Sequence, residues 1–213
     1  MIPAVDARVV VRRGEFVLAT ELSLAPGEAV LLTGDNGVGK STVVRAIAGV
    51  LPIDEGHIAI GGSIVDEPST ATFVAPERRG IGVVQQDARP FTNLTVLENV
   101  AFGLRARGIR RAEARARALE QLERHGLAPL ADRRGDEVSG GEGRRIVLAR
   151  ALVTRPSVLL LDEPLSSIDA SARAALLADL AAVAADHATA LLVVTHDPDE
   201  TGELADRAVT LTR

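Results

Sequence analysis

One lysine stands in this 213-residue chain, Lys40, between Gly39 and Ser41; the other 23 basic residues are arginines. It closes the run Gly34-Asp35-Asn36-Gly37-Val38-Gly39-Lys40-Ser41, which has the spacing G-x-x-x-x-G-K-[ST]. Glycines let a backbone turn its N–H groups toward one point, and a helix starting there adds positive potential. An ammonium group is a compact charge suited to β- and γ-phosphates, and a hydroxyl beside it suits Mg²⁺. The spacing therefore points to a phosphate cradle made by Gly34, Asp35, Asn36, Gly37, Val38, Gly39, Lys40, Ser41 and Thr42. The bland alternative is a glycine-rich turn that binds nothing.

A second constellation lies at Val158-Leu159-Leu160-Leu161-Asp162-Glu163, an apolar run ending in two carboxylates. In open α/β sheets, ligands bind beyond the carboxyl ends of the strands. There Asp162 would face a metal held by Ser41, and Glu163 would be left to orient or deprotonate a water. Two acidic turn residues ahead of Pro164 are the alternative. A third candidate is Ser139-Gly140-Gly141-Glu142, which opens an apolar-faced segment. Free N–H groups at a helix start, with a hydroxyl, make an anion site, although such a sequence is often only a cap.

Positioning these groups requires particular elements. Glu28–Thr33 is a short apolar run expected to be a strand buried on both faces. A helix is expected over about Lys40–Ala48, with Val43, Val44 and Ile47 inward and Gly49 and Pro52 stopping it. Val5–Val11 and Phe16–Leu24 should pair antiparallel around Arg13-Gly14. Strands are also expected at His57–Ile60, Ile64–Val65, Gly80–Val84, Ser157–Leu161, Ala190–Thr195 and Arg207–Leu211. Helices are expected from Thr95 to about Leu104 with Glu98 completing a capping box, at Arg111–His125, Ser139–Val153 and Ala170–Ala185, and as a turn or two over Asp199–Leu204.

The ordered set resembles the nucleotide-binding domains of ATP-binding cassette (ABC) transporters, from about Val9 to Leu211. Val138–Glu142 resembles the family signature L-S-G-G-Q. Gln86, in VVQQD, falls at the Q-loop glutamine, ahead of FTNLTVLENVAFGL. Ser166-Ser167-Ile168-Asp169 is similar to the D-loop S-A-L-D, and His196, in VVTHD, matches the switch histidine. The resemblance implies an α/β fold: a P-loop NTPase core with a mostly parallel sheet, an N-terminal antiparallel β subdomain and an inserted α-helical subdomain at about 87–155. It implies one such domain over 1–213, with no C-terminal regulatory domain.

In that family two domains dimerise head to tail and sandwich ATP between the phosphate loop of one and the signature of the other. Carried over, Lys40, Ser41 and Asp162 hold phosphate and Mg²⁺, with Gln86 a further metal ligand. Ser139, Gly140, Gly141 and Glu142 would reach the γ-phosphate of the partner's nucleotide, and Asp169 would cross the dimer interface. Glu163 would be the general base, His196 a γ-phosphate contact, Lys40 part of the catalytic set, and Gln86 the link to a membrane partner. The implied cofactors are ATP and Mg²⁺. The implied partners are a second nucleotide-binding subunit, transmembrane permease subunits that dock near Phe91–Gly103, and an extracytoplasmic solute-binding protein. The implied place is the cytoplasmic face of the membrane. The wording LTVLENVAFGL is nearer importers than exporters; a soluble cassette acting in assembly or maintenance is the alternative.

This sequence departs from the pattern at three points. Arg13 stands where an aromatic that stacks on adenine is common, with Phe16 the other candidate for that role. Glu142 replaces the signature glutamine and brings a carboxylate toward a phosphate site, unless it turns away. Six arginines between Arg105 and Arg117, opposed by Glu113, form a basic stretch that reads as a solvated helix face or as a partner or lipid contact.

Composition narrows the rest. Apolar residues make up 46%, enough for a packed interior, but four Phe with no Trp or Tyr provide few platforms for stacking bases. A net charge of −5 gives no basic footprint for duplex binding, so nucleic acid is not an expected partner. The absence of cysteine excludes disulfides and thiolate metal sites. Asp6, Arg8, Arg12 and Arg13 interrupt any secretory leader, and no apolar run approaches a membrane span.

Overall fold

The computed structural model describes residues 1–202 and 204–212, and only the backbone at Glu200. Arg213 and Glu203, the latter inside the turn expected over Asp199–Leu204, lie outside the described residues. Two five-stranded sheets and a helical layer make up the rest.

In the first sheet, β1 (Val5–Arg13) and β2 (Phe16–Leu24) form the expected hairpin, with Arg13 opposite Phe16. Gly14 turns the chain at φ +59°, a conformation that favours glycine. Val5, Ala7, Val9 and Val11 are buried while Asp6 and Arg8 are exposed, the alternation of a sheet covered on one face. Strands β4 (Glu55–Ile60), β5 (Ser63–Glu67) and β6 (Thr72–Phe73) complete an antiparallel order β2-β1-β4-β5-β6, if β3 is reserved for Ala29–Thr33.

The second sheet carries the chemistry. It joins β3 to β7 (Gly82–Val84), β8 (Val158–Asp162), β9 (Ala190–Val194) and β10 (Arg207–Thr210), in the order β10-β3-β9-β8-β7 with every pair parallel. All five residues of β3, of β8 and of β9 are buried, because both faces are covered. Val30, Leu32, Val158, Leu160 and Leu192 pack with α1 (Lys40–Ala48) and the antiparallel sheet. The alternate residues Leu31, Leu159, Leu161 and Leu191 pack with α4 (Gly140–Leu152) and α5 (Ala170–Ala185), when α2 and α3 denote Val96–Ala106 and Arg111–Arg124. Parallel strands put the carboxyl ends of β3, β7, β8 and β9 on one edge, so the phosphate loop, Gln86, Glu163 and His196 all leave the sheet on that side.

Helix α4 is clamped on two flanks. Ile146 and Ala149 join α2 and α3 in a separate helical core, while Val147, Leu148 and Leu152 join the core under the parallel sheet. Two sequence boundaries move for local reasons. The strand expected from Gly80 starts at Gly82, since Gly80 sits at φ +68°. The turn expected from Asp199 is a 3-10 segment, Pro198–Thr201, led by a proline that fits a first helical turn. Among the described residues no helix is long and apolar enough to cross a membrane.

Candidate nucleotide-binding and catalytic site

The loop between β3 and α1 has the conformation its glycines permit. Gly34 (φ +137°) lies where a Cβ would come within 2.5 Å of the Leu211 carbonyl oxygen, and Gly39 (φ +117°) is the N-cap of α1. A glycine cap has no side chain to satisfy the first-turn N–H groups. The first intrahelical bond of this helix runs from the Val43 N–H to the Gly39 carbonyl, 3.0 Å. The N–H groups of Lys40, Ser41 and Thr42 precede it and are aimed along the helix axis at the loop. Lys40 is only 6% exposed, and its ammonium donates to the carbonyls of Gly34 (2.7 Å) and Asp35 (3.0 Å). The cation therefore lies inside the curve of the loop.

Ser41 and Asp162 meet at the same edge: the Ser41 hydroxyl donates to Asp162 Oδ1 at 3.1 Å. This pairing fits Mg²⁺, which binds hard oxygens and takes one or two protein ligands plus substrate phosphates. Among the described residues no group of three or more acidic or imidazole side chains could hold a metal, so water and phosphate oxygens would supply the remaining ligands.

Glu163 follows β8 at φ +48°, in the left-handed region a non-glycine residue occupies at a cost of about 1 kcal/mol or more. Its backbone is fixed on both sides. Its N–H donates to the Val194 carbonyl (3.1 Å), and its carbonyl accepts from the Ser166 N–H (3.2 Å) and hydroxyl (2.9 Å). Its carboxylate Oε2 accepts from Gln86 Nε2 at 3.0 Å and lies 3.8 Å from His196 Nδ1. Two residues far from Glu163 in the sequence, Gln86 and His196, thus converge on one of its oxygens. A cavity of about 130 Å³ runs past Ser41, Asp162 and Gln86.

The signature residues occupy a different place. Ser139 and Gly140 line a cavity of about 560 Å³ shared with Gln86, Ser166, Ser167 and Ile168. Ser139 caps α4, its hydroxyl accepting from the Glu142 N–H (3.3 Å), while the Glu142 carboxylate accepts from the Ser139 N–H (2.8 Å). Glu142 is thus turned back onto its own helix, in the capping-box position where glutamine also serves. The Ser139 N–H and hydroxyl hold its carboxyl below the usual range, with Arg133 and Arg145 adding to the effect. Gly141 is packed: a Cβ there would fall 2.3 Å from the Ala172 Cβ of α5. Asp169 caps α5, accepting from the N–H groups of Ser171 and Ala172 at 2.9 Å each.

Of the two residues considered for adenine, Phe16 is the one against the phosphate loop, with its ring 3.2 Å from where a Gly39 Cβ would be. Arg13 is turned to Asp54 (3.2 Å) and to the Arg12 carbonyl (2.6 Å). The segment Phe91–Gly103 presents Phe91 and Phe102, 39% and 48% exposed, with ring centroids 5.0 Å apart. Arg150 lies 4.3 Å over the Phe91 ring, and a groove of about 660 Å³ runs beside them. The buried Asn99 shapes this loop by bonding both the N–H and the carbonyl of Phe91. In the basic stretch, Arg111 and Arg115 reach Glu98, and Arg117 reaches Glu113.

One contributor escaped the sequence reading. Arg79 is wholly buried and donates to the carbonyls of Ala46 and Ile47 (2.9 Å each), the last turn of α1. Burial pushes its pKa down, and Asp66 at 3.6 Å opposes that. In PERRG this arginine reads as surface charge, so no pattern signalled it.

Comparison with known proteins bears on the family and the fold. A family model described as ABC transporter matches residues 18–166. The Fe(3+) ions import ATP-binding protein FbpC of Streptomyces avermitilis is 42% identical over 212 residues, covering 99% of this chain and 60% of that protein. The molybdate/tungstate import ATP-binding protein WtpC of Archaeoglobus fulgidus is 40% identical over 200 residues, covering 94% and 80%. The sn-glycerol-3-phosphate import ATP-binding protein UgpC of Burkholderia mallei is 40% identical, with 93% and 54% covered. The chain thus spans little more than half the length of several curated relatives it matches. Among solved structures, the ADP conformation of MJ1267, an ATP-binding cassette of an ABC transporter, superposes with a TM-score of 0.83 at 25% identity, covering 99% of this chain and 88% of that one. The chain belongs to the ABC transporter family and takes the fold of its ATP-binding cassettes.

Proposed function

We propose that this chain binds and hydrolyses ATP to energise solute import through separate permease subunits. The observation that carries the reading is the convergence of Gln86 and His196 on one carboxylate oxygen of Glu163, at the sheet edge where Ser41 meets Asp162. Relatives that are import ATP-binding proteins for different solutes support the transport class.

The phosphate loop receives the triphosphate through the N–H groups of Gly37, Gly39, Lys40, Ser41 and Thr42 and the Lys40 ammonium. Ser41 and Asp162, with Gln86 beside them, would hold Mg²⁺, which would neutralise charge developing on the phosphates. Glu163 accepts a proton from the attacking water as the water oxygen bonds to the γ-phosphorus and ADP departs. Gln86 and His196 fix the orientation of that carboxylate, and His196 donates toward the γ-phosphate. Positioning and electrostatics carry most of the acceleration.

A second copy or a paired subunit supplies Ser139, Gly140 and Gly141 to the nucleotide; in support of this, the cavity lined by Ser139 and Gly140 does not include Ser41 or Asp162. The exposed aromatic groove at Phe91 and Phe102 receives a cytoplasmic segment of the permease, placing the chain on the inner face of the membrane. A solute-binding protein on the other side completes an importer.

The test is phosphate release by the purified chain, with and without its permease in membranes. Glu163→Gln should abolish release and accumulate an ATP-bound dimer in size-exclusion chromatography. Ser139→Ala should abolish release without weakening ATP binding to the monomer. Undiminished hydrolysis by a Ser139→Ala monomer refutes the shared site.

A further inference from the structure

Two adjacent arginines follow the signature on α4, and they hold different parts of the molecule. Arg145 binds the Asp179 carboxylate of α5 (Nε to Oδ2 2.6 Å, Nη2 to Oδ1 3.2 Å) and the His125 carbonyl at the end of α3 (2.5 Å). That contact anchors the helix to its neighbours and touches nothing at the site. Arg144 points the other way and donates to the main-chain carbonyl of Gln86. It lines the cavity that Gln86 shares with Ser139, between Asp87, whose charge favours the guanidinium, and Arg89, whose charge opposes it.

The contact completes a chain of non-covalent links. The Ser139–Glu142 cap opens the same helix, less than two turns before Arg144. Arg144 holds the main chain of Gln86, and the Gln86 amide in turn donates to Glu163 Oε2 at 3.0 Å. The partners are 58 and 77 residues apart in sequence, so neither link is a local accident of the chain. Gln86 sits in an exposed loop after β7, and among the described residues these are the two hydrogen bonds that join it to distant parts of the chain. A half-buried guanidinium is a costly strut unless its bond is made, because burial penalises the charge.

We propose that Arg144 is a positioning residue for ATP hydrolysis: it ties the Gln86 main chain to the signature helix, so that the placement of the Glu163 carboxylate follows the position of that helix. The residue touches neither the phosphate loop nor Ser41 and Asp162. Its loss should therefore spare nucleotide binding and slow the chemical step. The inference rests on the ATPase reading above.

Three proteins are compared with the wild type: Arg144→Met, which keeps the stem and removes the donor; Arg144→Lys, which restores one donor; and Arg145→Met, whose neighbouring anchor is structural. ATP affinity is read by fluorescent-nucleotide titration, turnover by steady-state phosphate release, and folding by thermal melting. Expected for Arg144→Met is a fall in kcat of about tenfold, from loss of the charge-assisted hydrogen bond that holds Gln86 and through it the Glu163 carboxylate, with the ATP Kd within about twofold and the melting temperature nearly kept. Arg144→Lys should recover most of the rate, whereas Arg145→Met should lower the melting temperature. Unchanged kcat in Arg144→Met overturns the proposal. So does a loss of kcat that comes with an equal loss of ATP affinity and melting temperature and is not relieved by lysine. A wild type that binds no ATP overturns the functional reading and this proposal with it; a wild type that hydrolyses ATP while Arg144→Met does so equally well overturns this proposal alone.

Discussion

Gly141 has two possible reasons to be glycine, and the structure separates them. One is proximity to a phosphate across a dimer interface. The other is packing, since an added Cβ would lie 2.3 Å from the Ala172 Cβ and 3.5 Å from its Cα. The obstacle is the first atom of a short side chain on another helix, so relief needs α4 and α5 to move apart. Overpacking of this kind costs about 1–3 kcal/mol. Alanine in a helix is favoured over glycine by about 0.5–1 kcal/mol, which offsets part of that. Gly141→Ala should therefore destabilise the chain by up to about 2 kcal/mol, or about 2–4 °C in Tm for each kcal/mol at this size. Ala172→Gly should cost about 0.5–1 kcal/mol by itself, because it loses propensity and little else. In the double variant the clash is gone and the propensity terms nearly cancel, so stability should return close to wild type. The packing account thus predicts a coupling energy of about 1–3 kcal/mol in a double-mutant cycle read by urea denaturation and melting. A coupling below about 0.5 kcal/mol would refute it, and with it the view that α4 and α5 meet at this glycine. Phosphate release by the stable double variant then reports the phosphate role separately.

Other consequences follow from the same contacts. Lys40→Arg keeps the charge but puts a planar five-donor fork where a slender ammonium fits between the Gly34 and Asp35 carbonyls; phosphate release should fall by at least about a hundredfold while the melting temperature stays within a few degrees. Arg79→Met leaves Asp66 buried without its cation and the α1 carbonyls without their donor, and should cost about 3–5 kcal/mol in urea denaturation, with Asp66→Leu added to it recovering much of the loss. For Asp179, burial raises the carboxyl pKa, but its bonds to His125 and Arg145 outweigh that and hold it below the usual range. The unfolded chain therefore binds this proton at a higher pH than the folded one. The stabilisation is present above the unfolded value, about pH 4, and is lost as pH falls through the folded value. Asp179→Asn should accordingly melt lower at pH 7, and its deficit should shrink as the pH is taken below about 4; a deficit independent of pH would contradict the ion-pair account.

How much of this was legible in the chain depended on whether the signal was local. The runs AVLLT, VLLLD and ALLVV announce strands covered on both faces, and the structure buries every one of those residues. The phosphate loop was readable because its glycines, lysine and serine are contiguous and its flanks have the right periods. Ser139 and Glu142 carry the S-x-x-E pattern of a capping box as plainly as Thr95 and Glu98 do, and the Glu142 carboxylate is occupied by that cap. The partner of Arg13 was not local at all: Asp54, 41 residues away, accepts from its guanidinium.

The arginines show why the remainder was illegible. In a chain with almost no lysine, arginine serves every cationic purpose, so its type says nothing about burial. Arg79 is fully enclosed, Arg145 is an anchor between helices and Arg144 reaches a loop carbonyl, while Arg8 and Arg12 make exposed pairs with Glu21 and Glu55. What distinguishes them is the acceptor each meets, and those acceptors come from parts of the chain that only the fold assembles. The same holds for Glu163. Nothing about a glutamate forecasts a left-handed backbone; that conformation is imposed by the Val194 carbonyl on one side and Ser166 on the other. Residue type therefore states which chemistry is available at this site, and the partners brought by β7, β9 and α4 decide where the Glu163 carboxylate points.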